Sequence, residues 1–178
     1  MPNYRRYRVA GGTYFFTVNL WQRFPNDLLI RHIELLRAVT GQVLAKRPFH
    51  IDAWVVLPDH LHCLWTLPPG DDDFSGRWRL IKQGFSKALP MTEARSPARV
   101  ARGERGIWQR RFWEHVIRDE ADYAAHVDYC HINPVKHGYA KCAAAWPYST
   151  FHHLVARGVY PLDWAGDPTC DMEAGETL

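Results

Sequence analysis

The hydrophobic pattern changes its period several times along the chain, and each change marks a predicted element. Short aromatic and β-branched runs predict strands, and apolar residues three and four positions apart predict helices. In chain order, the predicted elements are strand Thr13–Leu20, helix Leu28–Lys46, strands Phe49–Leu57 and His60–Leu67, helix Phe74–Leu89 and strand Trp113–Arg118. This order is the split β-α-β arrangement, so we predict an α+β, ferredoxin-like fold. It would have a four-stranded antiparallel sheet, helices on one face and the first and third strands at the centre.

Three further segments complete the predicted fold. Asp119–His137 begins with acidic residues and predicts a helix that stops or kinks near Pro134 and crosses the opposite face of the sheet. Pro90–Gly106, rich in proline, arginine and glycine, predicts a flexible loop. A C-terminal extension with an amphipathic run at Ser149–Arg157 is expected to pack against the rest of the fold.

The two histidines of the third strand are the first candidate for chemistry. Pro58 and Asp59 form a turn before them, so they lie on the second strand of a predicted hairpin. Side chains two apart on a strand point to the same face, so His60 and His62 could share one ion. A His-x-His pair is also compatible with two ordinary polar positions, so the pair alone does not establish a metal site.

Tyr129 and Asn133 are the second candidate, because residues four apart on a helix lie on one face. If that face meets the histidines, Asn133 would supply a carbonyl oxygen as third ligand and Tyr129 would stand beside a phosphate. A tyrosine in an amphipathic helix is more commonly a packing residue, and Asn-Pro commonly ends a helix. Tyr123 is a rival tyrosine, but six residues span about 600° of helix, so it would face another direction.

Together these features resemble a known family. His60-Leu61-His62 is similar to the histidine-hydrophobe-histidine ("HUH") signature of single-tyrosine transposases, which act on single-stranded DNA. Four longer phrases resemble the subgroup of REP-associated tyrosine transposases: WVVLPDHLHCLW (54–65), RFWEHVIRDEADY (111–123), DYCHINPVKHG (128–138) and WPYSTFH (146–152). The resemblance extends from about Tyr4 to Trp164, nearly the whole chain.

The resemblance implies roles for individual residues. His60, His62 and Asn133 would bind Mg²⁺ or Mn²⁺, and Tyr129 would be the catalytic nucleophile. In related insertion-sequence transposases a glutamine usually fills the third-ligand place, so Asn133 fits the REP-associated branch. The implied activity is metal-dependent nicking and strand transfer of single-stranded DNA at REP-type hairpins, through a 5′-phosphotyrosine intermediate. Two alternatives stay open: a non-catalytic protein that binds nucleic-acid hairpins, and a metal nuclease that uses water as its nucleophile.

The charge distribution favours a nucleic-acid partner. The net charge is only +3, but residues 77–118 carry eleven Lys and Arg against three Glu, a local balance of +8. Such a segment attracts a phosphate backbone, although it could also be an ordinary solvated surface. Seven residues of the N-terminal arm and of the basic segments are predicted to contact DNA: Tyr4, Arg5, Arg6, Arg8, Arg110, Arg111 and Lys136.

Length and composition limit the remaining possibilities. A chain of 178 residues with 47% hydrophobic residues predicts one domain, over residues 1–165, followed by an acidic tail over 166–178. No apolar run has the length of a membrane helix or a signal peptide, and the four cysteines lack zinc-finger spacing. We therefore expect no membrane partner, free thiols and a cytoplasmic location. The family resemblance favours a monomer over a dimer, which the sequence leaves possible.

Overall fold

The structure, a computed structural model, describes residues 6–164. Its strands are β1 (Thr13–Asn19), β2 (His50–Val56), β3 (His60–Thr66) and β4 (Trp113–Val116). Its helices are α1 (Leu28–Arg31), α2 (Ile33–Lys46), α3 (Phe74–Ala88), α4 (Pro97–Ala101), α5 (Glu120–Lys136) and α6 (Phe151–Ala156), and a 3₁₀ helix covers Ala143–Ala145. The predicted acidic tail, residues 166–178, lies outside the described residues.

The sheet confirms the predicted α+β topology. Its strand order is β2-β3-β1-β4 and all three pairings are antiparallel, so β1 and β3 are the central strands. In the pairing of β1 with β3, Asn19 lies opposite His60 and Thr17 lies opposite His62. The histidine strand is therefore held on both sides by backbone hydrogen bonds, which gives its side chains a rigid support.

The two faces of the sheet build two different cores. Phe16, Cys63 and Trp65 point towards α2 and α3, and the Trp65 ring stacks on Trp78 of α3 with centroids 4.3 Å apart. Phe15 and Leu64, on the alternate positions, point to the opposite face. There α5 packs against β2 and β3. The predicted layout is thus confirmed, with the tyrosine helix on the face opposite the other long helices.

Two predicted elements differ in detail. The single helix predicted over Leu28–Lys46 is divided at His32, whose backbone (φ −115°, ψ 35°) leaves the helical region. α5 ends at Lys136, two residues after Pro134, which agrees with the predicted stop near this proline, although Pro134 itself lies inside the helix. Beyond it, the backbone N–H groups of Tyr139 and Ala140 both donate to the Pro134 carbonyl and close the end of the helix.

The prediction of a loop over Pro90–Gly106 is wrong in one part, because Pro97–Ala101 forms the short helix α4. The Ser96 hydroxyl caps α4 and Pro97 occupies its first turn. The Arg105 guanidinium bonds both carboxylate oxygens of Glu93 and also the backbone carbonyl of Leu89. This pairing lowers the pKa of Glu93 to about 2. This bidentate ion pair joins the residues on the two sides of α4.

Arg77 anchors the start of α3, and its loss is expected to destabilise the fold. Its side chain is buried and donates to the Asp71 carboxylate and to the carbonyls of Arg47, Pro48 and Asp73. We expect Arg77→Met to lower the free energy of unfolding by about 2–3 kcal/mol, because these acceptors lose their donor. Urea denaturation at neutral pH measures the change.

The matched control is Arg79→Met on the same helix, where the arginine is exposed. It should change stability by less than about 0.5 kcal/mol. The hydrogen bond from Arg77 lowers the pKa of Asp71 to about 2. The Asp71 contribution should therefore be present at neutral pH and be lost as pH falls from about 4 towards 2. Equal effects of the two substitutions would contradict the anchoring role.

Candidate active site

His60 and His62 project from β3 towards α5. Both side chains are buried, with 1% and 0% relative exposure, and their ring centroids lie 5.0 Å apart. The alternation of side chains along a strand explains the shared direction, because Leu61 between them faces the other core. The strand therefore places two imidazoles side by side, as predicted from their spacing.

Asp59 and Arg23 fix the His60 ring. Asp59 Oδ1 lies 2.7 Å from His60 Nδ1, and Arg23 Nε lies 2.8 Å from Asp59 Oδ2. Burial opposes ionisation of Asp59, but the hydrogen bonds from His60 and Arg23 outweigh it, and the pKa of Asp59 is lowered. Arg23 Nη2 also lies 3.1 Å from Nδ1, but the shorter contact is the one to the Asp59 carboxylate, which only accepts. This contact favours the tautomer with the ring proton on Nδ1 and the lone pair on Nε2. Burial lowers the pKa of His60, which favours the neutral ring that a metal requires.

Thr17 fixes the orientation of the His62 ring through a hydrogen bond at Nδ1. Its Oγ1 lies 2.8 Å from His62 Nδ1, because the β1–β3 register places the two residues opposite one another. If the hydroxyl accepts the Nδ1 proton, Nε2 of His62 is the nitrogen that carries the lone pair of the ring. Phe15 stacks on the other side of the ring with centroids 5.5 Å apart.

One stripe of α5 meets both histidines. Tyr129 lies 5.4 Å from His62 and His137 lies 5.2 Å from His60, measured between ring centroids. Asn133 is four residues after Tyr129 on α5 and four residues before His137, the C-cap of that helix, so the helical repeat places it on the same side as both. Its Nδ2 donates to the Tyr129 carbonyl at 3.2 Å. Among residues 6–164, Asn133 Oδ1 and His60 Nε2 are buried atoms to which no hydrogen bond is made.

Lys136 lies beside the phenol of Tyr129. Its ammonium is 3.1 Å from the Tyr129 hydroxyl and 4.7 Å from the ring centroid. Tyr129 itself is only 2% exposed. An ammonium group in this position stabilises negative charge on the phenol oxygen. Lys136, predicted to contact DNA, therefore lies within the candidate active site.

Tyr123 points elsewhere, as its helical position predicts. Its hydroxyl donates to Asp52 of β2 at 3.2 Å, and the side chain is 36% exposed. Burial of the hydroxyl and the neighbouring Asp52 carboxylate raise the pKa of Tyr123 to about 12. Such a phenol is harder to deprotonate than an ordinary tyrosine, so Tyr123 is a poor candidate for the nucleophile.

The other predicted DNA contacts divide between locations. Arg6, Arg8 and Arg110 line a groove of about 1190 Å³ between α3 and residues 96–112, here called the basic groove. Arg111 is exposed and is not part of its lining. Tyr4 and Arg5 lie outside the described residues. The structure thus brings three of the seven predicted contacts together and places Lys136 at Tyr129.

The sequence interpretation missed Asp59 and His137 as site residues. Both line a cavity of about 740 Å³ whose other lining residues include Arg23, His60 and Tyr139. The sequence pattern identified Asp59 only as a turn residue. A carboxylate that bonds a metal-binding histidine is nevertheless a common arrangement. His137 is eight residues after Tyr129, two steps along the same helical stripe, which could have indicated it.

A second group of potential ligands joins β4 to α5. Within residues 6–164, ligand atoms of His115, Asp122 and His126 lie within 4.8 Å of one another. His115 Nε2 lies 2.9 Å from Asp122 Oδ2, and His126 Nδ1 lies 2.8 Å from the Asp122 backbone carbonyl. A carbonyl only accepts, so that His126 nitrogen carries a proton. The three side chains are therefore accounted for by hydrogen bonds that connect β4 to α5.

Two further sequence expectations concern the whole molecule. Cys63, Cys130 and Cys142 are free thiols, as predicted, while Cys170 lies outside the described residues. Over residues 6–164, none of the helices combines the length and apolar composition needed to cross a bilayer.

Comparison with known proteins gives strong similarity over the full chain. The chain is 54% identical to the REP-associated tyrosine transposase of Escherichia coli K12, over 178 residues that cover 100% of this chain and 99% of that one. A Haemophilus influenzae protein provisionally assigned to the same family is 45% identical over 170 residues, covering 94% and 96% of the two chains. No family model matches the chain.

A solved structure gives the same result for the fold. It is a REP-associated tyrosine transposase bound to a REP hairpin, with a TM-score of 0.86 and 54% sequence identity. The superposition covers 100% of this chain and 99% of that chain.

Proposed function

Because the chain belongs to the REP-associated tyrosine transposases, we propose that it nicks and rejoins single-stranded DNA at REP-type hairpins through a 5′-phosphotyrosine at Tyr129. The observation that carries this proposal is the meeting of the Tyr129 stripe of α5 with the His60–His62 pair of β3. One hydroxyl and two imidazoles then face the same buried space. This is the arrangement that attack on a metal-bound phosphodiester needs.

The donor atoms around this space fit a divalent cation. His60 and His62 would hold it through imidazole nitrogens and Asn133 through its amide oxygen. The support is the buried His60 Nε2 and Asn133 Oδ1, to which no hydrogen bond is made within residues 6–164. Mg²⁺ prefers oxygen ligands, whereas Mn²⁺ accepts imidazole more readily, so Mn²⁺ should bind more tightly in vitro. When bound, the ion would act as a Lewis acid on a phosphate oxygen.

Tyr129 carries out the covalent step. The phenol loses its proton to solvent and its oxygen forms a bond to phosphorus. The bond from phosphorus to the 3′ oxygen breaks, and that oxygen takes up a proton from solvent to become a 3′-hydroxyl. Lys136, 3.1 Å from the phenol oxygen, stabilises the charge that develops there before attack. Because the phosphotyrosine conserves the ester bond, a second 3′-hydroxyl can reverse the step and join a new strand.

The site is assembled within one chain, which favours a monomeric enzyme. Tyr129 of α5 and His62 of β3 meet without a second copy. The free cysteines of the described residues fit a reducing, cytoplasmic setting. The monomeric state and the cytoplasmic location are therefore both part of the proposal.

The covalent product provides the test. Single-stranded hairpin DNA, labelled on the side that would remain attached to the protein, is incubated with the protein and Mn²⁺ and separated on a denaturing gel. We expect a labelled band at the size of a protein–DNA conjugate that protease removes and that is absent with EDTA. Binding of the hairpin with neither nicking nor a conjugate would instead support the hairpin-binding alternative.

The arm is expected to contribute to hairpin affinity. Arg6 donates to Ser75 and covers the Phe112 ring at 4.0 Å, and Arg8 pairs with Asp72, so both lie at the basic groove. Alanine at Arg5, Arg6 and Arg8 together should weaken hairpin binding and reduce the slope of log K against log salt by up to about 3.

Fluorescence anisotropy at several salt concentrations measures both effects. The matched control replaces three basic residues away from the groove, Lys46, Arg37 and Arg157, and should leave the slope unchanged. An arm variant with the affinity and salt slope of the wild type would remove these residues from the DNA interface.

A further inference from the structure

Lys82 of α3 is a half-buried lysine that the proposed DNA chemistry does not use. It lines the basic groove, where α3 faces residues 96–112. Its nitrogen donates to the Gln109 carbonyl at 3.0 Å and lies 5.2 Å from the Phe112 ring centroid and 5.9 Å from that of Trp108. Two aromatic rings and a backbone carbonyl therefore replace much of the water that surrounds an ordinary lysine.

The charges around Lys82 oppose its ammonium form. Within residues 6–164, no carboxylate forms an ion pair with it. The Arg6 guanidinium lies 4.0 Å from the centroid of the same Phe112 ring. Burial and the positive charge of Arg6 lower the pKa of Lys82 to about 7. At neutral pH a large fraction of Lys82 is therefore the free amine, which has the lone pair that a nucleophile needs.

Two other lysines provide the comparison for Lys82. Lys87 lines the same groove from the same helix, and Lys46 lies at the end of α2, outside the lining. Both side chains are exposed, and water favours the ammonium form, which has no lone pair to donate. Lys82 thus differs from Lys87 in its burial, and from Lys46 in both burial and location.

The basic groove attracts small anions to this amine. Guanidinium groups line it from the N-terminal arm, from α3 and from residues 96–112, and they include those of Arg79 and Arg102. Among the described residues that line it, Glu104 is the only acid, and it pairs with Arg110 at 3.0 Å. A concave surface with this excess of positive charge raises the local concentration of anions.

We propose that Lys82 is an acylation site that takes an acyl group from an acyl phosphate, a small anionic donor, bound in the basic groove. The Lys82 nitrogen forms a bond to the carbonyl carbon, the bond from that carbon to the phosphate oxygen breaks, and the phosphate leaves with the electron pair. The nitrogen loses one proton, which the leaving phosphate takes up. The product is a neutral amide, so each event removes one positive charge from the groove. Neither Tyr129 nor the histidines take part.

Acetyl phosphate is the probe for the test. The folded protein is incubated with it at neutral pH and low salt, and peptide mass spectrometry follows the acetylated fraction of each lysine over time. We expect Lys82 to be acetylated at least about tenfold faster than Lys46 and Lys87. In protein unfolded by urea this ratio should approach about 1, because the rings and Arg6 no longer surround the amine.

A neutral acetyl donor separates the reactivity of the amine from the attraction of the anion. 4-Nitrophenyl acetate should also favour Lys82, at a rate that salt does not change. Salt at about 0.5 M should slow acetylation of Lys82 by acetyl phosphate several-fold, because it screens the groove.

Arg79→Ala removes an exposed cation from the groove. It should slow the reaction of Lys82 with acetyl phosphate about two- to threefold and leave Lys46 unchanged. Arg37→Ala, which removes an exposed arginine of α2 outside the lining, is the matched control and should change neither rate.

Lys82→Arg checks the assignment, because it keeps a cation at this position but offers no amine. The fast phase of acetylation, seen in the mass of the intact protein, should disappear. Acetylation of Lys82 by acetyl phosphate at the rate of Lys46 or below would overturn the proposal. A Lys82 rate that neither salt nor Arg79→Ala lowers would also overturn it, because the groove would then not recruit the donor.

Discussion

Tyr129→Phe is expected to abolish the covalent protein–DNA product and to lower nicking of hairpin DNA by at least about a thousandfold. Phenylalanine lacks the oxygen that forms the bond to phosphorus. The ring can stay where it is, because Tyr129 packs edge-on against Phe15 with centroids 5.8 Å apart and the substitution removes only the hydroxyl. Labelled hairpin DNA, Mn²⁺ and a denaturing gel measure nicking and the conjugate in one experiment.

Tyr123→Phe is the matched control, since it removes a hydroxyl from the same helix. That hydroxyl bonds Asp52 and does not face the histidines, so activity should remain within about twofold of the wild type. Loss of the conjugate in Tyr123→Phe, with its retention in Tyr129→Phe, would move the nucleophile to the other tyrosine. Nicking that continues in Tyr129→Phe without any conjugate would identify water as the nucleophile.

Periodic features of the sequence predicted the frame of the molecule and the centre of the candidate site. Alternation along β3 predicts that His60 and His62 share a face, and the helical repeat predicts the same for Tyr129 and Asn133. The structure places both pairs accordingly, because a strand and a long helix impose those directions on every side chain. The order of strands and helices along the chain predicted central positions for β1 and β3, and the observed strand order β2-β3-β1-β4 agrees.

Features that depend on contacts between distant residues could not be predicted in this way. The ion pair of Arg105 with Glu93, which joins the two sides of α4, is a contact that composition does not show. The role of Asp59 depends on Arg23, a residue 36 positions earlier that holds the carboxylate against His60. The basic groove requires α3 and residues 96–112 to face each other. In each case local propensity says nothing about the partner, and tertiary packing decides.

His60→Ala is expected to remove tight Mn²⁺ binding and to lower conjugate formation by about a thousandfold, because a buried ligand nitrogen is lost. Isothermal titration with Mn²⁺ measures the binding directly, without DNA. His50→Ala is the control, since His50 is an exposed histidine at the start of β2. Loss of Mn²⁺ binding in His115→Ala, with normal binding in His60→Ala, would instead assign the ion to the His115–Asp122–His126 cluster.

Asp59→Asn tests the orientation of the His60 ring more finely. The amide can still lie beside His60 Nδ1, but it lacks the charge that holds the ring proton on that nitrogen. We expect Mn²⁺ affinity to fall about 10- to 100-fold, with conjugate formation largely restored at correspondingly higher Mn²⁺. Restoration by excess metal separates a positioning role from a catalytic one, because a residue that took part in the chemical step would leave a deficit at saturating Mn²⁺. Unchanged Mn²⁺ affinity in Asp59→Asn would have two explanations: His60 binds no ion, or it binds one without help from the carboxylate. Loss of Mn²⁺ binding in His60→Ala would select the second explanation, and normal binding would select the first.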